Sequence, residues 1–404
     1  MSSRQAGQAT GNIVIAGAGF AGLGAAFTLR RLMGPAHKIT VVDPRSRFVF
    51  APSLLAAALG RPAFQAGFEL EPVLRAHGID FVRSALRSVD VANQTVMTDA
   101  GPLAFNRLLI ATGGTPDPDA VPGVAGEWRQ SSFIVGVDSA QDVWTRLRRI
   151  PEHAKSVIVG IAPGGTYVSA MYELVLGIEA LLRNRGMRDA ARLTFVTPEP
   201  YLGHLGFGQS AARAPLETMF ARRGIEVMTG ASISQVRAGE VILDSGDSIE
   251  AGEIFLMPPF SGAVDVWKSA GITNERGLVP VNGAYRHPEH DAIYAAGVAS
   301  IFDGLVRPLV ERQAPHTGYL SLRMGKTAGQ NIAASLGVGS QATYTLPRTL
   351  DLRVLDGASE GFLLASHGRD KLQHRAIRLP GPSARYLKKA IEQYQLWRLK
   401  SGHP

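Results

Sequence analysis

Three glycines and one acid stand at a spacing that can hold a phosphate chain. In "NIVIAGAGFAGLGAAFTLRRLMGPAHKITVVDPR", Gly17 permits a tight turn, Gly19 leaves room for a pyrophosphate against bare backbone, and Gly22 lets a helix pack closely on a strand. A helix beginning at Phe20 and Ala21 would present its amides and partial positive charge to the anion. Asp43, at the end of the next apolar run, is placed to accept from ribose hydroxyls. The elements that position these residues are written around them. The β-branched run Ile13 to Ile15 predicts a strand, Ala25, Leu29 and Leu32 predict one helix face, and Ile39 to Val42 predict a second strand. Strand, turn, helix, strand and acid in that order predict a dinucleotide site.

Composition narrows the alternatives. At 404 residues the chain predicts two or three domains, and its 45 glycines suit close approach of backbone to phosphate. The net charge of +8 comes from 42 basic and 34 acidic residues that are dispersed, without the basic and aromatic interleaving of a nucleic-acid binder, so no nucleic-acid partner is expected. The chain has no cysteine, which excludes disulfides, thiolate metal sites and any thiol redox step; no metal site is expected. The apolar stretch Ile13 to Leu29 is interrupted by Gly17, Gly19, Gly22 and Gly24 and has no clear cleavage site after it, so it reads as a turn and helix rather than a signal peptide. No other segment supplies the ~20 apolar residues of a spanning helix, and a soluble or peripheral protein is expected.

Two later segments repeat the strand-to-glycine pattern. "FNRLLIATGGTPDPDAVPG" places a strand, Leu108 to Ala111, before Thr112, Gly113 and Gly114, and "DAIYAAGVAS" places another, Ala292 to Ala296, before Gly297. With the first glycine turn, these segments resemble those of flavoproteins with two dinucleotide-binding domains, and the resemblance implies FAD. "TFVTPEPYLGHLGFG", "FLMPPFSG", "APHTGYLSLRMGKTAGQNI" and "FVFAPSLLAAALGR" are similar to signature segments of the sulfide:quinone oxidoreductase and flavocytochrome c sulfide dehydrogenase family, over a similarity running from about Asn12 to the C-terminus. The resemblance places Pro52 beside the flavin. It also places His316, Thr317 and Gly318 at a helix start facing the pyrimidine end of the ring, with His316 where relatives carry lysine; whether His316 offers a charge or one neutral hydrogen bond stays open.

The family's chemistry runs through two cysteines, and here the resemblance breaks. The first should lie in "VIVGIAPGGTYVSAMYEL", at Tyr167, and the second before "DGASEG", at about Arg353. Neither side chain can form a persulfide. Glu173 and His204 are candidates for proton movement, each with a structural hydrogen bond as the plain alternative. The same stretch carries a degraded nucleotide fingerprint, Gly160, Ala162 and Gly165, with Glu199 at the end of the next strand where a ribose acceptor would sit. Ala162 and Pro163 weaken it, so a vestigial turn is favoured over retained NAD(P)H binding.

At the C-terminal end, Leu387, Ala390, Ile391, Tyr394 and Trp397 recur at helical spacing, flanked by Arg385, Lys388, Lys389, Arg398 and Lys400. Such a stripe suits the plane of an anionic membrane, with Tyr394 and Trp397 as membrane or quinone contacts; docking on the protein itself or on a second subunit is the alternative.

The resulting expectation is an α/β protein with two interleaved Rossmann-like (FAD/NAD(P)-binding) domains and a C-terminal amphipathic helical element. The FAD domain is expected in two parts, 1–135 and 266–345, around a second nucleotide-binding-like domain at 136–265, with a flavin-face and membrane-facing segment at 346–404. The resemblance implies an oxidoreductase passing electrons from an unidentified donor to a membrane quinone without persulfide chemistry, on the inner face of the membrane. An NAD(P)H dehydrogenase, a non-catalytic flavin-binding homologue, a sulfide donor and a homo-oligomer stay open.

Overall fold

The structure is a computed structural model and describes residues 11–61, 66–124, 137–153, 155–205, 210–302, 317–343, 351–367 and 373–404. Its principal elements begin with β1 (Asn12–Ala16), α1 (Phe20–Met33), β2 (Lys38–Val42), β3 (Asp80–Val82) and β4 (Arg107–Ile110). They continue with β5 (Ser156–Ile161), α2 (Val168–Asn184), β6 (Arg192–Thr197), β7 (Glu226–Thr229), β8 (Glu253–Met257) and β9 (Ile293–Ala295). After these come α3 (Gly318–Ser335), β10 (Asp351–Asp356), β11 (Glu360–His367), β12 (Gln373–Pro380) and α4 (Ser383–Lys400).

Two large parallel sheets form, beside a two-stranded parallel pair of Val279–Val281 with Ser300–Phe302. The first has the order β9-β4-β1-β2-β3 and the second β7-β6-β5-β8. Strand β9 joins the first sheet although the whole second sheet lies between it and β4 in sequence, which is the interleaving expected of a split domain. Strands buried on both faces read as continuous apolar runs. In β5, Val157, Val159 and Ile161 enter one core cluster with α2, while Ile158 enters the cluster on the opposite face. Among several smaller sheets, the antiparallel meander β10-β11-β12 was not foreseen from the sequence; it carries α4 against it.

Helices α1 and α3 touch almost backbone to backbone. A Cβ built on Gly325 would fall 2.0 Å from the Ala21 carbonyl oxygen, and one on Gly24 would fall 2.6 Å from that of Leu322. Only glycine allows this approach. The crossing sets the two helix N-termini side by side, with Gly318 against the Phe20 ring.

Candidate active site

The N-termini of α1, α2 and α3 open on one cavity of about 400 Å³. Gly19, Phe20 and Ala21 contribute from α1, Thr166 to Met171 from the start of α2, and Thr317, Gly318 and Ser321 from α3. Gly113, Gly114 and Gly297 line it from the ends of β4 and β9, and Pro52 from the 3₁₀ turn Ala51–Ser53. Three helix dipoles with their positive ends at one cavity favour an anionic or electron-accepting occupant. Phe20 is held in place by edge contacts with Phe48 and Phe50, at ring separations of 5.1 and 5.4 Å. Thr317 caps α3, its hydroxyl accepting from the Leu320 amide at 3.2 Å.

The glycines of the first turn divide into two kinds. A Cβ on Gly17, whose φ is +106°, would meet the Ala111 carbonyl oxygen at 2.3 Å, and one on Gly22 would meet the Gly17 oxygen at 1.8 Å. Those two are needed by the fold itself. A Cβ on Gly19 or Gly113 would meet nothing within 4 Å, so these border open space of the kind a ligand fills. Asp43 is buried at the end of β2, its Oδ2 accepting from the Ala18 amide at 2.8 Å. Burial opposes its ionisation, but hydrogen bonds and charge from Arg45, with the Ala18 and Arg45 amides, outweigh this and hold the carboxyl below its ordinary value.

The other wall carries Tyr167, Leu205, Met257, Phe260, Arg353 and Val354. Tyr167 packs on Phe260 at 5.0 Å between ring centres, and burial pushes its hydroxyl up to about 12. Arg353 donates through Nη1 to the Leu205 carbonyl at 3.1 Å. Leu205 has a φ of +52°, rare for a side chain of its size, and its amide donates to Glu199 Oε1 at 2.5 Å. On the cavity wall, Glu173 on α2 pairs with Lys388 on α4 at 2.5 Å. Burial raises the Glu173 carboxyl, and Lys388 only partly offsets this.

A family model, pyridine nucleotide-disulphide oxidoreductase, matches residues 11–314. The chain belongs to that family. Sulfide-quinone reductase of Aquifex aeolicus (strain VF5) is 29% identical over 403 residues, 97% of this chain and 92% of that protein. The X-ray structure of the Aquifex aeolicus sulfide:quinone oxidoreductase superposes with a TM-score of 0.85 at 27% identity, again over 97% and 92% of the two chains. A demethylphylloquinone reductase of Synechocystis is 29% identical over 253 residues, 57% of this chain and 56% of that protein.

This pyridine nucleotide-disulphide oxidoreductase is an FAD-dependent enzyme similar to sulfide-quinone reductase. The residues present fit FAD: Gly19 and Gly113 border free volume, and helix N-termini converge at the cavity. One contact must change. Arg45 holds Asp43 through Nε and Nη2 at 3.0 and 2.9 Å, covering the carboxylate that a ribose would use. The Arg45 side chain is 62% exposed, so it can swing into solvent as ribose hydroxyls take its place on the buried Asp43 carboxylate.

The cavity wall gathers Gly19, Phe20, Ala21, Pro52, Gly113, Tyr167, Glu173, Gly297, Thr317, Gly318 and Arg353 of the expected site residues, while Gly17, Gly22 and Asp43 lie behind it around the first turn and Tyr394 and Trp397 stand exposed on α4. Thr112 is turned from the cavity, its Oγ1 accepting from the Trp267 indole at 3.2 Å. His204 is off the cavity wall and meets the Tyr201 ring edge-on at 5.3 Å; its neighbour Leu205 takes the wall position. His316 lies outside the described residues. Both positions where the relatives' cysteines are expected, Tyr167 and Arg353, line the cavity, and the chain has no cysteine to replace them.

The second glycine turn is a packing device. A Cβ on Gly160 would lie 2.3 Å from Ile233 Cδ1, and one on Gly165 would lie 2.6 Å from the Met257 oxygen. Glu199, expected where a ribose acceptor sits, is fully buried and engaged by the Tyr172 hydroxyl at 2.7 Å, the Thr197 hydroxyl at 2.9 Å and the Leu205 amide. Burial pushes this carboxyl up to about 7 against the stabilising effect of those donors.

Lys388, Leu205 and Phe260 were not foreseen as site residues. Lys388 stood out only as one of several basic residues flanking the C-terminal stripe. On α4 the stripe is exposed: Tyr394 and Trp397 are 53% and 63% accessible and stack at 6.1 Å, while Ala384, Leu396 and Leu399 face inward. Among the described residues no helix is long and apolar enough to cross a membrane, and no cluster of metal-ligating residues occurs.

Proposed function

We propose that this enzyme passes electrons from a donor at the Tyr167 and Arg353 end of the cavity to a membrane quinone near the C-terminal helix, without a thiol intermediate. The observation that carries the reading is the cavity itself: the same space is bordered by the three helix N-termini, by Tyr167 and Arg353, and by Lys388 of α4. Bound FAD would supply the redox chemistry, taking up an electron pair from one reactant and yielding it to another. The names of the relatives from Aquifex aeolicus and Synechocystis include a quinone reductase activity, which supports a quinone as acceptor here.

The chain's own residues then hold and orient. Gly19 and the first-turn amides of α1 would receive the pyrophosphate, Asp43 the ribose, and Pro52, Gly113, Gly297, Thr317 and Gly318 would border the ring. We divide the chain into FAD-domain parts 1–135 and 266–345, an inserted domain 136–265 and a C-terminal segment 346–404, a reading supported by β9 joining the sheet of β1, β2, β3 and β4. Tyr167, kept neutral by burial, fills space and is no general base. Glu173, its carboxyl raised by burial, pairs with Lys388 at the wall nearest α4 and would hand on a proton where quinone reduction consumes protons. Exposed Leu352, Ile377, Tyr386, Ile391, Tyr394 and Trp397 give α4 and its meander an apolar face suited to a lipid interface on the cytoplasmic side.

The NAD(P)H alternative would need Glu199 as ribose acceptor, and that carboxyl is already occupied inside the protein. Anaerobic mixing of the yellow protein with NADH, NADPH and hydrosulfide in turn tests this. The reading expects no rapid bleaching by either nicotinamide; rapid bleaching by NADH would move the donor site to the second domain.

A further inference from the structure

Behind the part of the cavity wall made by Leu205 and Arg353 lies Glu199, a carboxyl with no exposed surface just past the end of β6. Its Oε2 accepts from the Tyr172 hydroxyl of α2 at 2.7 Å and from the Thr197 hydroxyl at 2.9 Å, and its Oε1 accepts from the Leu205 amide. The Tyr172 hydroxyl in turn accepts from the Gly203 amide at 2.8 Å, so the loop from Glu199 to Leu205 is drawn onto one carboxyl. Leu205 is gripped on both sides: its N–H donates to Glu199 and its carbonyl accepts from Arg353 Nη1 at 3.1 Å. A left-handed residue of this size, with a φ of +52°, persists where its surroundings hold it from more than one direction.

Among the described residues, the ionisable groups that face Glu199 are Arg353 from β10, Tyr172 from α2, and Tyr201 of its own loop. Arg213, from the helix Arg213–Arg222, lies over the Tyr201 ring at 5.3 Å, and His204 meets that ring edge-on. Of these groups Arg353 is the one that lines the cavity. An ionised Glu199 opposes the positive charge of Arg353 through a wall of low polarity, and a protonated Glu199 removes that opposition. Burial pushes the carboxyl up to about 7, against the pull of its donors and of Arg353, so the two forms exchange near neutral pH.

We propose that Glu199 is a positioning residue of the flavin cavity: it fixes Leu205 and through it Arg353, and its ionisation sets how much positive charge this wall presents to the flavin. This rests on the reading of the cavity as the FAD site. A more positive wall favours the anionic reduced flavin, so the reduction potential falls as Glu199 loses its proton, in addition to the flavin's own dependence on pH.

The test uses the FAD-loaded protein, equilibrated anaerobically against a reference dye of known potential between pH 5.5 and 8.5. Glu199→Gln keeps the shape of the protonated acid and cannot ionise. At pH 5.5 it is expected to match wild type; at pH 8.5, at the same dye potential, its ratio of reduced to oxidised flavin is expected to stand at least about threefold above wild type. Tyr172→Phe, which takes one donor from the carboxylate, is expected to move the bend that Glu199 gives the wild-type curve up by about one pH unit. A Glu199→Gln curve that runs parallel to wild type at every pH, displaced or not, overturns the inference, since a purely structural role acts alike at both ends. If Glu199→Gln fails to fold, Tyr172→Phe decides, and a curve unmoved from wild type overturns the inference. The function is read separately on wild type, from FAD content and from reoxidation of the chemically reduced protein by a quinone. If these succeed and the curves run parallel, only this inference falls; if they fail, the function falls as well.

Discussion

Tyr167, the residue before α2, and Arg353, on strand β10 of the C-terminal meander, line one cavity, and the chain has no cysteine to place there. The consequences can be measured.

Tyr167 packs on Phe260 and is held un-ionised by burial, so its bulk matters more than its hydroxyl. Tyr167→Phe is expected to leave the flavin spectrum and its pH dependence from about 6 to 9 unchanged. Tyr167→Ala opens the wall and is expected to shift the visible flavin band, with a stability loss of about 1–3 kcal/mol in denaturant unfolding. An Ala variant with the wild-type spectrum would show that the ring does not cover the flavin.

The two kinds of glycine in the first turn separate cofactor binding from folding. Gly19→Ala places a methyl where the protein has no atom within 4 Å, so the melting temperature of the apoprotein should hold within about 2 °C while FAD affinity falls at least tenfold. Gly22→Ala drives a methyl onto the Gly17 carbonyl oxygen and should cost several kcal/mol with FAD bound or removed. Equal effects of the two substitutions on the apoprotein would contradict this division.

Glu199 makes stability depend on pH. Its carboxyl is up at about 7 in the fold against an ordinary 4.5, so between these values the native state keeps a proton that the unfolded chain has released. Stability therefore falls as pH rises across that window, by at most about 3 kcal/mol. Glu199→Gln should flatten this slope, whatever constant loss its amide causes among Tyr172, Thr197 and Leu205. Urea unfolding at pH 5 and pH 8 reads the difference; the same slope in both proteins would place the proton elsewhere.

The exposed aromatics of α4 predict a membrane phenotype without a folding one. Replacing Tyr394 and Trp397 together by alanine removes mostly accessible surface and a contact the two rings make with each other, so the melting temperature should hold within about 2 °C while partitioning onto anionic vesicles falls about tenfold or more. Unchanged partitioning would place the lipid contact on another face.

What the sequence revealed followed the range of the interactions involved. The turn from β1 to α1 was legible because its constraints act within a few residues: Gly17, Gly19 and Gly22 are spaced by the turn, and Ile13 to Ile15 by the strand. The α4 stripe was legible for the same reason, since helical spacing alone puts Tyr394 beside Trp397. The pairing of Glu173 with Lys388 spans 215 positions and has no local signature. Glu199 was legible as the acid at its strand end, but its burial was not, because that depends on the loop that brings Gly203 and Leu205 back over Tyr172. The meander escaped notice because β10 leaves Leu352 exposed and turns Arg353 to the cavity on the face of buried Leu355, which blurs the alternation of a half-buried strand.

The central claim is that electrons leave this protein for a membrane quinone with no thiol involved. Its most direct test is to photoreduce the FAD-loaded protein anaerobically, bind it to vesicles containing a ubiquinone analogue, and follow the visible flavin band by stopped flow. The account predicts return of the oxidised band with one hydroquinone formed per FAD, unaffected by a thiol-alkylating reagent. A flavin that stays reduced in the presence of the quinone and is reoxidised only when oxygen is admitted would contradict it.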